Sequence, residues 1–161
     1  RLLSNIQGKV ELGLKAFWRD EKTIFVDVLA NTPSIRLLQK TISHSPPELV
    51  NHYTIHLGEM VKRALDREKA RQATRILSPL RRIAYKVQEN EAPSDRMITN
   101  SAFLIDARRE SEFDQAVEKL DTELADKVVL KYLGASPPYN FISITVNWET
   151  IRVGGRNWTR S

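Results

Sequence analysis

Between Asn100 and Trp148 the hydrophobic pattern changes period several times, and each period dictates a different element. Met97 to Ile105 closes on the apolar run Ala102 to Ile105, which reads as a buried strand. Phe113, Ala116, Val117, Leu120 and Leu124 then recur at three- and four-residue spacing, the signature of one helix face, with Ser111-x-x-Asp114 as its start signal. Val128 to Leu133 is a further strand and Gly134 to Pro138 a corner. Phe141 to Trp148 alternates Ile142, Ile144, Val146 and Trp148 against Ser143, Thr145 and Asn147, a third strand. Strands and a helix in this order require a sheet with a helix laid on it.

The upstream half supplies the remaining layers. Val10, Leu12, Leu14, Ala16 and Trp18 alternate with Glu11, Gly13, Lys15 and Phe17, so Val10 to Trp18 reads as a half-buried strand. Asp20 caps a helix over Glu21 to Ala30 with Ile24, Phe25, Val28 and Leu29 inward, and Thr32-Pro33 starts a short helix to about Ile42. Ser45-Pro46-Pro47-Glu48 has the form of a capping box. A stripe of Leu49, Tyr53, Leu57, Met60, Ala64 and Leu65 follows, then one of Ala73, Ile76, Leu77, Leu80, Ile83, Ala84 and Val87. Ser78-Pro79 falls within the second stripe, where a kink or break is expected. Tyr85 to Glu91 is a short strand and Ala92 to Asp95 a turn. Collected, these elements give an α+β chain: a ferredoxin-like antiparallel sheet, β-α-β-β-α-β, with a long helical insertion after the first strand.

The absence of cysteine excludes a disulfide framework, cysteine-ligated zinc, iron–sulfur chemistry and thiol catalysis. No apolar run approaches the roughly 18 residues needed to span a bilayer. The net charge of +5 is concentrated: Lys62 to Lys86 holds nine basic and two acidic residues, so the rest of the chain is slightly acidic. Such a face recruits anionic partners or is simply solvated.

Catalytic and metal-binding motifs do not assemble. His52 and His56 lie four apart on one helix with Glu59 beyond them, but Tyr53 stands where a zinc protease needs glutamate, and no third ligand is apparent. His44 stands apart. No serine sits in a G-x-S-x-G elbow, and no helix follows Gly154-Gly155 to hold a phosphate. Asp106 and Glu110 flank a helix start, where capping explains them. The strand ITNSAFLID lacks the basic-Gly-aromatic opening of an RNA-binding sheet. No cofactor is expected.

The order NSAFLID, a helix with early Phe113, and Gly134-x-x-Pro137-Pro138-Tyr139-x-Phe141 resembles the gas vesicle proteins F and L (GvpF/GvpL). That family pairs NxAFLVD with such a helix and a G-x-x-PPYxF corner. Lys9 to Trp18 (KVELGLKAFW) looks like the strand opening the family's C-terminal domain. The resemblance implies a C-terminal-type domain over 1–149, including a helical arm at 46–87, then a tail at 150–161, with the family's N-terminal domain absent. It also implies a non-enzymatic accessory or minor component of gas vesicles in the cytoplasm. Such a component would bind the hydrophobic shell protein GvpA and other accessory gas vesicle proteins, limit shell-protein aggregation and help nucleate the vesicle. No membrane partner is implied. The runner-up is a basic nucleic-acid-binding module using the arm.

Two sets of contact residues are candidates. Pro137 and Pro138 fix φ and remove two backbone donors, so they stiffen a corner that aims Tyr139 and Phe141, either into the core or at a partner. Arg63, Arg67, Arg71 and Arg75 form the second set, on the arm. The corner departs from the family in one respect: Ala135-Ser136 precede the prolines where a bulky residue is common.

Overall fold

The computed structural model describes residues 6–138 together with Asn140 and Phe141. In chain order the elements are β1 (Lys9–Trp18), α1 (Glu21–Asn31), α2 (Pro33–Ser43), α3 (Pro47–Arg81), β2 (Lys86–Glu89), β3 (Met97–Asp106), a 3-10 turn (Ala107–Arg109), α4 (Glu110–Leu124) and β4 (Val128–Ser136). The sheet order is β2-β3-β1-β4 and every neighbouring pair is antiparallel. This is the ferredoxin-like arrangement expected from the sequence, with α1, α2 and α3 filling the first crossover. The expected strand at 141–148 lies outside the described residues beyond Phe141.

Alternation along β1 assigns its two faces. Leu12, Leu14 and Ala16 are fully buried under the helices, and register places Phe103, Ser101 and Thr99 of β3 beside them. Val128, Leu130 and Tyr132 of β4 continue the same face. The opposite face carries Glu11, Gly13, Lys15 and Phe17, paired with Leu104, Ala102 and Asn100 for the first three. At Gly13 a Cβ would lie 3.2 Å from Leu133 Cδ1, tighter than ordinary contact, so a larger residue there would require the Leu133 side chain to shift by a few tenths of an ångström.

Phe113 ties α4 to the sheet. It is fully buried, with its ring 5.0 Å from Phe103 of β3 and 6.0 Å from Tyr132 of β4. Tyr132 in turn donates to Asp114 of α4 at 2.5 Å; burial first, then that hydrogen bond, pushes its phenol above its usual range.

Three local expectations are corrected. The Ser45–Glu48 capping box does not form: Pro46 is the cap residue, at φ −60° and ψ 149°, and Ser45 Oγ donates to Thr41 O instead. A box would require Pro46 to be helical, but a residue preceding proline is driven out of the helical region, here by Pro47. No break divides the arm into two helices. Pro79 lies inside α3, two residues from its end, and burial of Ile76, Leu77 and Leu80 holds the helix through it. Ser111 is not a cap either. The carboxylate of Asp106 accepts from Arg108 N at 2.9 Å and starts the turn leading into α4.

Phe113→Ala should cost about 3–5 kcal/mol, from lost burial plus the cavity left between α4 and two strands. Denaturant unfolding measures it, and a loss below about 1 kcal/mol would contradict the packing described. The Asp106 carboxyl is held far below the usual carboxylate range by the Arg108 side chain and backbone N–H. Its folded pKa is depressed, so its contribution is present above the unfolded value of about 3.9 and lost as pH falls through the folded one. Asp106→Ala should therefore lower Tm at pH 7, and the gap to the parent protein should shrink steadily below about pH 4.

Candidate functional site

The chain after β4 doubles back onto the sheet face that the helices leave open. Opposite Gly13 stands Leu133 and opposite Glu11 stands Ser136, so β4 gains one residue over β1 between those pairs, a bulge that bends its end. Gly134 to Ser136 thus belong to the strand rather than to the corner. Pro137 is exposed and Pro138 buried, and Phe141 N donates to Pro138 O at 3.2 Å. Tyr139 lies outside the described residues, and Phe141 is half-buried.

Asn140 is the residue that the corner delivers. Its backbone N–H donates to Glu11 Oε2 at 2.9 Å and its side-chain amide donates to Oε1 of the same carboxylate. Glu11 is only 6% exposed and has no cationic partner among the described residues. An unpaired buried carboxylate is costly, so these donors make the docked corner and the buried Glu11 depend on each other. Sequence reasoning missed this pair. The available signal was a glutamate at the start of a strand whose flanking residues are apolar.

The arm arginines do not join the corner. Arg63, Arg67, Arg71 and Arg75 are all exposed on α3, which packs on the helical face, so the sheet lies between the two candidate sets. Arg71 makes a bidentate pair with Glu68 at 2.9 and 2.7 Å, which raises the guanidinium pKa and lowers the carboxyl's. Arg63 pairs loosely with Glu59 at 3.8 Å. Arg67 and Arg75 have no ion-pair partner among the described residues. Two of the four candidate arginines are therefore ion-paired locally, and exposed pairs of this kind contribute little to stability.

A third feature, also missed, is a cleft of about 740 Å³ between α1 and α3. Phe25 does not point into the core as expected. It is 43% exposed and Val26 61%, and both face Val61 and Leu65 of α3 across a floor made by Trp18 and Ile24. The run Ile24, Phe25 and Val26 was the signal: three consecutive helical positions spread too far around the axis to share one buried stripe.

Nδ1 of His44 lies 2.8 Å from Lys40 O, and the His52 ring packs at a tilt against Tyr53. Among the described residues, no group of three His, Asp or Glu side chains could hold a metal ion. No helix among them is long and apolar enough to cross a membrane.

Residues 1–143 match the family profile described as "Gas vesicle synthesis protein GvpL/GvpF". The chain belongs to the GvpL/GvpF family. It is 27% identical over 143 residues to gas vesicle protein F of Microcystis aeruginosa (strain PCC 7806), covering 89% of this chain and 57% of that protein. The crystal structure of GvpF from Anabaena sp. PCC7120 superposes with a TM-score of 0.79 at 25% identity, covering 87% of this chain and 56% of that one. GvpF from Microcystis aeruginosa gives 0.70 at 27% identity, covering 87% and 57%. The chain thus spans somewhat over half the length of these relatives. The match gives it a gas-vesicle-related role.

If Asn140 docking depends on Glu11, Glu11→Ala should speed hydrogen exchange at the Asn140 amide about tenfold or more, the scale of a lost charge-assisted bond. The Leu12 and Leu14 amides in the same strand should stay protected. Unchanged exchange at Asn140 would show that the contact does not hold the corner.

Proposed function

We propose that this GvpL/GvpF member is an accessory or minor component of gas vesicle assembly that binds the shell protein GvpA, limits its aggregation and helps nucleate vesicles in the cytoplasm. The observation that carries the reading is the family match across residues 1–143. Its physical logic is that unassembled shell subunits expose apolar surface and strand edges, which pair indiscriminately unless covered.

The domain offers means of covering them. Among the described residues β4 pairs on one side only, with β1, leaving its other edge for strand addition. Pro137, Pro138, Tyr139 and Phe141 follow directly at that strand's end. The exposed Arg67 and Arg75 add a positive flank suited to acidic segments of a partner. No catalytic role enters this reading, which rests on the family match.

Co-expression with the shell protein should keep that protein soluble, and the complex should weaken only modestly at roughly 0.5 M salt, where exposed charge attraction is largely screened. Replacing Tyr139 and Phe141 together by Ala should reduce binding while Tm stays near that of the parent. A folded double variant that binds normally would remove the corner from the interface. Absence of any shell-protein binding, alongside steeply salt-dependent binding to nucleic acid, would replace this reading with that of a basic nucleic-acid module.

A further inference from the structure

The cleft between α1 and α3 has walls that are both helices, and this restricts what can fill it. Every backbone group of a helix interior is already bonded within its own helix. A segment entering in extended form would therefore bury its own N–H and C=O groups against Phe25, Val26, Val61 and Leu65 with nothing to receive them. A helical segment brings its backbone already satisfied, and its side-chain ridge fits the groove between two packed helices.

Length and shape agree with a helix. Along α3 the cleft extends from Gly58 to Lys69, about 16 Å at 1.5 Å per residue, or three helical turns. At Gly58 no heavy atom lies within 4 Å of the position a Cβ would take, which leaves room for a large side chain of the occupant.

Charge narrows the choice further. The rim carries Lys62, Asp66 and Lys69 on α3, alternating in sign, with Glu21 and Lys22 on α1 and Asp95 nearby. Three are positive and three negative, and none of the six takes part in an ion pair among the described residues, whereas Arg63, Arg71, Arg81 and Arg109 elsewhere on the surface do. A neutral rim of mixed sign gives no attraction to a polyanion. It complements a helix whose apolar stripe is flanked by both acidic and basic residues.

We propose that this cleft seats an amphipathic helix of about three turns from the gas vesicle partner, apolar on one face and flanked by charges of both signs. The identity of the partner rests on the assembly reading above; the shape of the occupant rests on the cleft alone.

Two variants of the whole chain test it. Val26→Glu puts a charge on an exposed wall position, and Gly58→Leu fills the open end while improving helix propensity, so both should fold. With co-expressed shell protein as the probe, each should bind about tenfold or more weakly than the parent, a factor of ten being about 1.4 kcal/mol. A second probe is a synthetic 14-residue amphipathic peptide, with leucines at i, i+3, i+4 and i+7 between glutamates and lysines, and the same peptide interrupted by proline. The helical form should shift the NMR methyl signals of Val26, Val61 and Leu65, and the proline form should not. Parent-like shell-protein binding by both variants would overturn the proposal while leaving the assembly reading intact. Equal binding of the two peptides, or a self-association of the chain abolished by Val26→Glu, would also overturn it. If the parent chain binds no shell protein, the assembly reading fails and the peptide comparison alone decides what the cleft accepts.

Discussion

Strand β1 is hydrogen-bonded along both of its edges, to β3 and to β4, and this double commitment sets the register of the domain. Side chains alternate with a period of two, so a slip of one residue would turn Leu12, Leu14 and Ala16 outward and bring Glu11 and Lys15 under the helices. Both alternatives would expose apolar surface and bury charge. The helices are therefore packed against a surface whose sidedness the strand register fixes, and α4 completes it by placing Phe113 between Phe103 and Tyr132.

The regular elements were legible because each carried its own period. The alternation in KVELGLKAFW and the three–four spacing of Phe113, Val117, Leu120 and Leu124 each admit one interpretation, and those residues behave accordingly. Element ends were harder to read, because several groups compete for the same role. Ser45 and Ser111 both had the right spacing for a cap, yet Pro47 constrained one and Asp106 pre-empted the other. Pro79 looked like a break because its local cost is visible in sequence, while the burial of Leu77 and Leu80 that offsets it comes from distant strands.

Interaction surfaces were the least legible, since they depend on pairs far apart in the chain. Glu11 and Asn140 are separated by 129 residues, and nothing near either one announces the other. The cleft likewise joins Phe25 and Val26 to Leu65 through the packing angle of two helices. The arginine stripe was visible as composition, but which arginine Glu68 engages, Arg71, emerges only when rotamers are placed. Family membership supplies the biological setting without specifying any of these contacts.

Helix α3 is continuous, yet its two halves are anchored differently. All of its fully buried residues fall between Ala64 and Leu80, while the portion from Pro47 to Arg63 leans on α2 and packs only the half-buried Leu57, Met60 and Val61 against the core. At about 1.5 Å per residue that portion reaches roughly 25 Å past the anchored half. A rod clamped at one end and supported laterally at the other behaves as a cantilever. Its outer end depends on α2 for support, while the inner end is held by the sheet and α4. Gly58 lies in the free half just short of the clamp, so bending would concentrate beside the mouth of the cleft and alter its width without disturbing the sheet.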